Sequence, residues 1–201
     1  MRATKPTRAR PSAPTEKRDA ILEAALDCFV EQGFHGTAVP EVAKRAGIAT
    51  GTIYHYFPSK EAMVNALYRK WKEHIARFVM TAFPPSGTPR EQVSAVWRAM
   101  VEFALAHRNA FVFIELHPHR SYLDGESLAM EHRLKDFGAA MVKRAQGLGH
   151  VKAGPPALLM ELVFGAFIGM MRAHWEGRFA LGDEERALAE QACWDTIALH
   201  A

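Results

Sequence analysis

Residues 33–60, GFHGTAVPEVAKRAGIATGTIYHYFPSK, read as two short helices joined by a tight turn and followed by a broken entry into a third. In the first, Val39, Val42, Ala43 and Ala46 recur at helical spacing, so residues 38–46 lay one apolar stripe on a core. Gly47 stops that helix, because the position after a helix end favours the left-handed region and glycine enters it without a Cβ clash. Ile48 plugs the corner. From Thr50 to Phe57 a second helix buries Ile53 and Phe57, four apart. Thr50, Gly51, Thr52, Tyr54, His55 and Tyr56 are left facing outward. They are small or planar hydrogen-bonding groups at the start of a very short helix, which suits an N-terminus pushed into the major groove of DNA.

At these residues the chain resembles the tetracycline-repressor (TetR/AcrR-like) family of bacterial transcriptional regulators. A pattern close to IA-x-x-AGVS-x-G-x-Y-x-HF-x-x-KE marks that family, behind a Gly-aromatic pair and one or two threonines. Here those places hold Gly33-Phe34, Thr37, Val42-Ala43, Ala46-Gly47-Ile48-Ala49, Gly51, Tyr54, Tyr56-Phe57 and Lys60-Glu61. Beyond this segment the likeness is one of length and helical pattern. The resemblance adds Thr37 and Lys60 to the DNA-facing set; Thr50 and Thr52 are expected at base edges, and Tyr54, Tyr56 and Lys60 at phosphates. Lys60 in the first turn of the next helix opposes the helix dipole unless a phosphate shares the site. Two residues depart from the pattern. Ala49 stands where the family commonly has Ser, forfeiting a cap worth about 1 kcal/mol, so either Thr50 caps one residue later or the end frays. Pro40 falls in a first helical turn, where its missing N–H is not needed.

The net charge of +3 over 201 residues is unevenly placed. Residues 1–60 hold nine Lys or Arg against six Asp or Glu, and the rest sixteen of each, so the whole excess lies on the helix-turn-helix segment. Residues 1–14, with Arg2, Lys5, Arg8 and Arg10 between prolines, read as a basic disordered arm: either a solubilising tail or a segment that tracks phosphates. Residues 15–61 then form the DNA-binding domain and 62–201 a helical body. No apolar run follows the basic residues, so no signal peptide is expected and the cytoplasm is the expected location. Cys28 and Cys193, far apart in apolar helical patterns, read as buried thiols.

An all-α fold of about nine helices follows from the absence of alternating strand-like runs. The first helix spans about 15–32, with Lys17 and Arg18 near the DNA backbone. A fourth runs from Lys60 to about Ala82, burying Met63, Ala66, Leu67, Trp71, His74, Ile75 and Phe78, and connects head to body. Further helices are expected at 89–107, 110–117, 124–146 and 156–177, and a ninth capped by Asp183. The eighth is apolar nearly all round yet too short for a membrane span, so it reads as buried on more than one side. Gly165 and Gly169 on it, with Trp194 and Ile197 on the ninth, are the expected dimerisation residues, as the resemblance also implies.

Trp97, Met100, Phe103, Phe111, Phe137 and Phe167 could line an apolar effector cavity, with Glu115 its polar group; packing alone explains each one singly. His107, His117 and His119 lack the spacing of a metal site, and no cofactor is expected. Catalysis has no support, since no nucleophile elbow or phosphate-cradling glycine loop is present. Two functions remain. One is a ligand-responsive transcriptional repressor that binds a palindromic double-stranded operator as a homodimer, released by a small apolar or amphipathic effector. The other is an effector-independent architectural DNA-binding protein.

Overall fold

Ile21, Leu22, Ala25, Cys28 and Phe29 repeat at helical spacing, and all five are fully buried. They form one wall of the N-terminal core in the computed structural model, which describes residues 14–200. The segment read as a basic arm lies, apart from Pro14, outside the described residues. The chain is all-helical, as expected: α1 (Pro14–Gly36), α2 (Val39–Ala46), α3 (Thr50–Tyr56), α4 (Lys60–Ala82), α5 (Pro89–Ala106), α6 (Arg108–Phe111), α7 (Gly125–Gly147), α8 (Pro156–Trp175) and α9 (Asp183–Ile197). Between α6 and the following loop, Val112–Leu116 forms a π-helical turn in place of the simple helix end expected at 117. A loop of residues 117–124 then leads to α7.

The head is α1 to α3 with the first turns of α4. Val42 and Ala43 of α2, Ile53 of α3, Phe57, and Met63 and Leu67 of α4 close on the α1 stripe. Gly33 (φ 70°, ψ 178°) breaks the helical path near the expected end at 32, but helical structure resumes and α1 runs on to Gly36. The Thr37 hydroxyl closes that end, donating to the carbonyls of Gly33 (2.7 Å) and Cys28 (3.0 Å). Gly47 takes φ 71° after α2, and the Ile48 N–H reaches back to the Ala43 carbonyl at 3.0 Å. This bond spans six residues, and with Gly47 in the left-handed region it turns the chain sharply into α3. With no serine before it, α3 has Ala49 as an N-cap without a side-chain bond, and Thr50 does not replace it. Across α1 and α2, Arg45 grips the Glu31 carboxylate with two bonds of 2.7 and 2.9 Å.

α4 is capped by Ser59, which accepts from the Ala62 N–H at 3.1 Å. Its buried stripe differs from the expected one. Val64, Asn65, Tyr68 and Lys72 are buried with Met63, Leu67 and Ile75, whereas Ala66, Trp71, His74 and Phe78 are half-buried. The two polar residues are satisfied: Asn65 donates to the Glu61 and Tyr122 carbonyls (2.9 and 2.7 Å) and accepts from the Asp124 N–H (2.9 Å). α5 opens with a capping box, Thr88 and Glu91 bonding each other's backbone N–H. Asp124 caps α7 by accepting from the Ser127 N–H at 2.8 Å.

The last two helices correct four expectations. α8 has 20 residues and a window of mean hydropathy 1.5, so by length and composition it is long enough to cross a bilayer. It instead lies against α7 and α9 with only Leu159, Phe167 and Met171 buried, so one side is covered within the chain rather than several. Asp183 does not cap α9; Gly182 is the N-cap, and the Glu185 carboxylate accepts its N–H at 3.0 Å. Ile197, expected at a dimer interface, is buried in its own chain with Val142, Ala145, Val151 and Leu159, and Trp194 packs half-buried on that cluster beneath the Arg90 guanidinium. An antiparallel bridge between Val151 and Ala198 ties the α7–α8 loop to the end of α9.

Candidate functional site

Two places carry chemistry, the outer edge of the head and a cavity in the body. α3 is held by Ile53, fully buried, and by Phe57 just beyond its end. With those two turned inward, Gly51, Tyr54 and His55 are exposed, and Thr50, Thr52 and Tyr56 are half-buried, Tyr56 packing partly on the core. A short helix presenting two hydroxyls, an imidazole and two phenols on its outer side can offer donors and acceptors to base edges and to phosphates. Arg18 lies with its guanidinium 5.4 Å over the Phe57 ring, at the foot of the same helix.

The other two residues expected at DNA are turned inward. Thr37 is 2% exposed and its hydroxyl is spent on α1 carbonyls. The Lys60 ammonium donates to the carbonyls of Phe34 (2.6 Å) and Thr37 (2.9 Å) and sits 4.3 Å over the Phe34 ring. Lys60 therefore staples the start of α4 to the end of α1. The physical reason is the one that made a lysine look out of place: its charge is answered by backbone carbonyls and an aromatic face rather than left for a phosphate.

The cavity, about 580 Å³, lies among α4, α5, α7, α8, the π-helical turn and loop 117–124. Of the expected lining, Trp97, Met100, Glu115, Phe137 and Phe167 are there. Phe103 and Phe111 are not. Phe103 is fully buried among Trp71, His74, Phe78 and His107, and Phe111 packs edge-on against Phe167 and Trp175. Ile197 reaches the cavity wall.

The polar end of the cavity was only partly foreseen. Lys72 and Glu115 form an ion pair at 2.6 Å, with side chains only 10% and 11% exposed. Burial alone would depress the Lys72 pKa, but the Glu115 carboxylate and the Tyr68 phenol beside it leave it above its ordinary value. Tyr68 is itself pushed up to about 12, chiefly by burial. His117 and His119 line the same end with rings 5.8 Å apart. His119 Nε2 bonds the Phe113 carbonyl, which can only accept, so that nitrogen carries a proton. Burial holds the His119 pKa down at about 4 against the opposing pull of that bond, and burial lowers His117 as well. Both rings are neutral at pH 7. Lys72 was detectable in sequence, since it falls four residues after Tyr68 and three before Ile75, on the core register of α4. Arg120 carried no such signal, because loop 117–124 has no periodicity to place it.

That loop touches both places. His117, His119, Arg120 and Leu123 line the cavity. Tyr122 stacks on Phe34 of the head with centroids 3.9 Å apart, and its hydroxyl bonds His35 Nε2 at 2.8 Å. Among the described residues, no group of three or more His, Cys, Asp or Glu converges where a metal ion could sit.

Comparison with known proteins matches both parts. Residues 21–67 fit the family model "Bacterial regulatory proteins, tetR family", and residues 68–199 fit "Tetracyclin repressor-like, C-terminal domain". The junction falls inside α4. The chain is similar to the HTH-type transcriptional repressor KstR2 of Mycolicibacterium smegmatis, 34% identical over 52% of this chain and 50% of that one. It is similar to the HTH-type transcriptional regulator RutR of Escherichia coli K12, 46% identical over 34% of this chain and 32% of that one. The chain thus spans half or less of the length of these curated relatives. A solved TetR family transcription regulator from Marinobacter aquaeolei VT8 superposes with a TM-score of 0.81 at 26% identity, over 92% of this chain and 96% of that one.

Replacing Lys60 by Ala leaves the Phe34 and Thr37 carbonyls without their charged donor. The expected loss is about 1.5–3 kcal/mol of stability, read as a lower urea midpoint; an unchanged midpoint would return Lys60 to the surface. His119 makes stability fall with acid. Its folded pKa lies below the ordinary 6.5, so the unfolded chain takes up a proton first and the contribution, complete above about pH 6.5, is lost as pH falls toward 4. The loss is on the order of 3 kcal/mol. His119→Gln, which keeps a donor for Phe113, should flatten the urea midpoint between pH 6.5 and 4 relative to wild type.

Proposed function

Because the chain belongs to the tetR family of bacterial regulatory proteins, and is thus a helix-turn-helix transcriptional regulator, we propose that it is a cytoplasmic repressor that binds a palindromic operator as a homodimer and releases it when a small amphipathic effector fills the body cavity. The observation that carries this reading is loop 117–124, which gives five residues to the cavity wall, His117 to Arg120 and Leu123, and stacks Tyr122 on the head. A ligand that moves the loop moves Phe34, and Phe34 supplies both a carbonyl and a ring to Lys60 at the root of the recognition unit. The architectural alternative leaves this arrangement without a use.

Dimerisation is supported by the outer side of α8. Leu158 (55% exposed) and Leu162 (49%) lie in line with exposed Gly165, Ala166 and Gly169, and Leu188 of α9 is 72% exposed. A Cβ at Gly165 or Gly169 would meet nothing within 4 Å, so the strip is open to the close approach of a second helix. One head reads one half-site, so two heads held at fixed spacing read a palindrome.

Selection of bound duplexes from a random pool should return a palindrome bound by two chains. Leu162→Glu should give a monomer whose operator affinity falls at least tenfold, and Thr52→Ala should change the preferred half-site. Titration of the operator complex with amphipathic compounds should find one that weakens binding by roughly 5 to 150-fold, and Tyr122→Ala should reduce that factor toward one. Length-dependent binding without a preferred sequence, or a wild-type monomer with full operator affinity, would sink the proposal.

A further inference from the structure

The charges around the cavity are unequally committed. Lys72 is held by Glu115 at 2.6 Å. Lys135 is held by Glu161 at 2.9 Å and approaches Glu131 at 3.7 Å. Arg120 also lines the cavity, and among the described residues it has neither a hydrogen bond nor an ion pair. It follows directly on His119 and stands at an exposed edge of the cavity. The imidazoles of His117 and His119, kept neutral by burial, add no charge there; the one N–H of His119 is already given to the Phe113 carbonyl, which leaves His117 as the neutral donor at that edge. On the other sides the wall is apolar: Trp97, Met100, Phe137, Met141, Phe164 and Phe167.

We propose that this cavity takes an amphipathic carboxylate, its head paired with Arg120 at the His117–His119 edge and its apolar body lying between α5, α7 and α8. The inference rests on the reading of the cavity as the effector site and specifies its ligand. A guanidinium offers a planar fork that matches a carboxylate with two parallel bonds. A cationic head would meet Arg120 and Lys72 while both nearby glutamates, Glu115 and Glu131, already face lysines. An uncharged hydroxyl head could accept one bond from the guanidinium but would forgo the paired, charge-assisted contact. A volume of about 580 Å³ suits a body of drug-like size.

The test is calorimetric titration of the full-length protein with dodecanoate, 1-dodecanol and dodecylammonium below their micelle thresholds at low salt, in wild type, Arg120→Gln and Ala76→Trp. Ala76 lines the cavity, so a tryptophan there occupies it. In wild type dodecanoate should bind roughly tenfold more tightly than dodecanol, the ratio set by one charge-assisted contact, and dodecylammonium most weakly. Arg120→Gln should bring dodecanoate down to the dodecanol level, Arg120→Lys should restore part of the preference, and Ala76→Trp should weaken all three. Equal binding of acid and alcohol in wild type, or a preference that survives Arg120→Gln, overturns the carboxylate assignment; if Ala76→Trp still weakens both, the cavity remains the binding site. No binding of any amphiphile, or binding indifferent to Ala76→Trp, overturns the assignment together with the effector-site reading.

Discussion

A helix of seven residues is not stable by itself in water, and everything the head does depends on holding one in place. α3 has no side-chain cap at its start and no charged residue in its first turn. Burial of Ile53 and Phe57 in the head core therefore carries it, together with its packing on α2 and the turn at Gly47 that sets its direction. This division of labour separates stability from recognition. The residues that keep α3 folded face inward, so its outer edge is free to carry whatever hydrogen-bonding groups a base sequence requires.

The same economy runs through the junction between head and body. α4 belongs to both: its first turn supplies Lys60 to the α1 end, its second turn supplies Asn65 to loop 117–124, and Lys72 at its middle stands in the cavity wall. A buried Lys72–Glu115 pair is not a source of stability to be assumed, because desolvating two charges offsets most of their attraction. Its effect is geometric. It fixes the π-helical turn against α4 at one end of the cavity, while Tyr122 fixes the neighbouring loop against Phe34, outside the cavity. Because Tyr122 is also stitched to Asn65 by its carbonyl, the loop has few ways to rearrange without taking α4 or Phe34 with it.

Periodicity made the helices legible, and glycine and proline marked their ends, because both signals are local. Gly47 after α2 and the buried pair Ile53 and Phe57 could be read directly. Lys60 was misplaced for a non-local reason: its partners, the carbonyls of Phe34 and Thr37, lie at a helix end whose approach to α4 no pattern discloses, whereas Thr37 turns its hydroxyl back on Gly33 and Cys28 of the helix just before it. Phe103 and Phe111 show the limit for the cavity. An aromatic on an apolar stripe can face a void or a neighbouring ring, and only the packing of Trp71, His107, Phe167 and Trp175 decides. Loop 117–124, which joins the two places, has no repeat to read. Its importance lies in contacts with residues 34, 35 and 65, far away in the chain.

The strip of α8 has a meaning for the life of the chain before any DNA is met. Leu158 and Leu162, with the small residues that continue their line, form a continuous apolar band on a subunit that is otherwise folded. A band of this kind invites capture by chaperones, proteases or unrelated sticky surfaces until something covers it. In the homodimer proposed above the band is covered, so it is unpaired subunits that meet quality control. On that reading the standing amount of the protein is governed by how fast two newly made chains meet as well as by how fast they are synthesised.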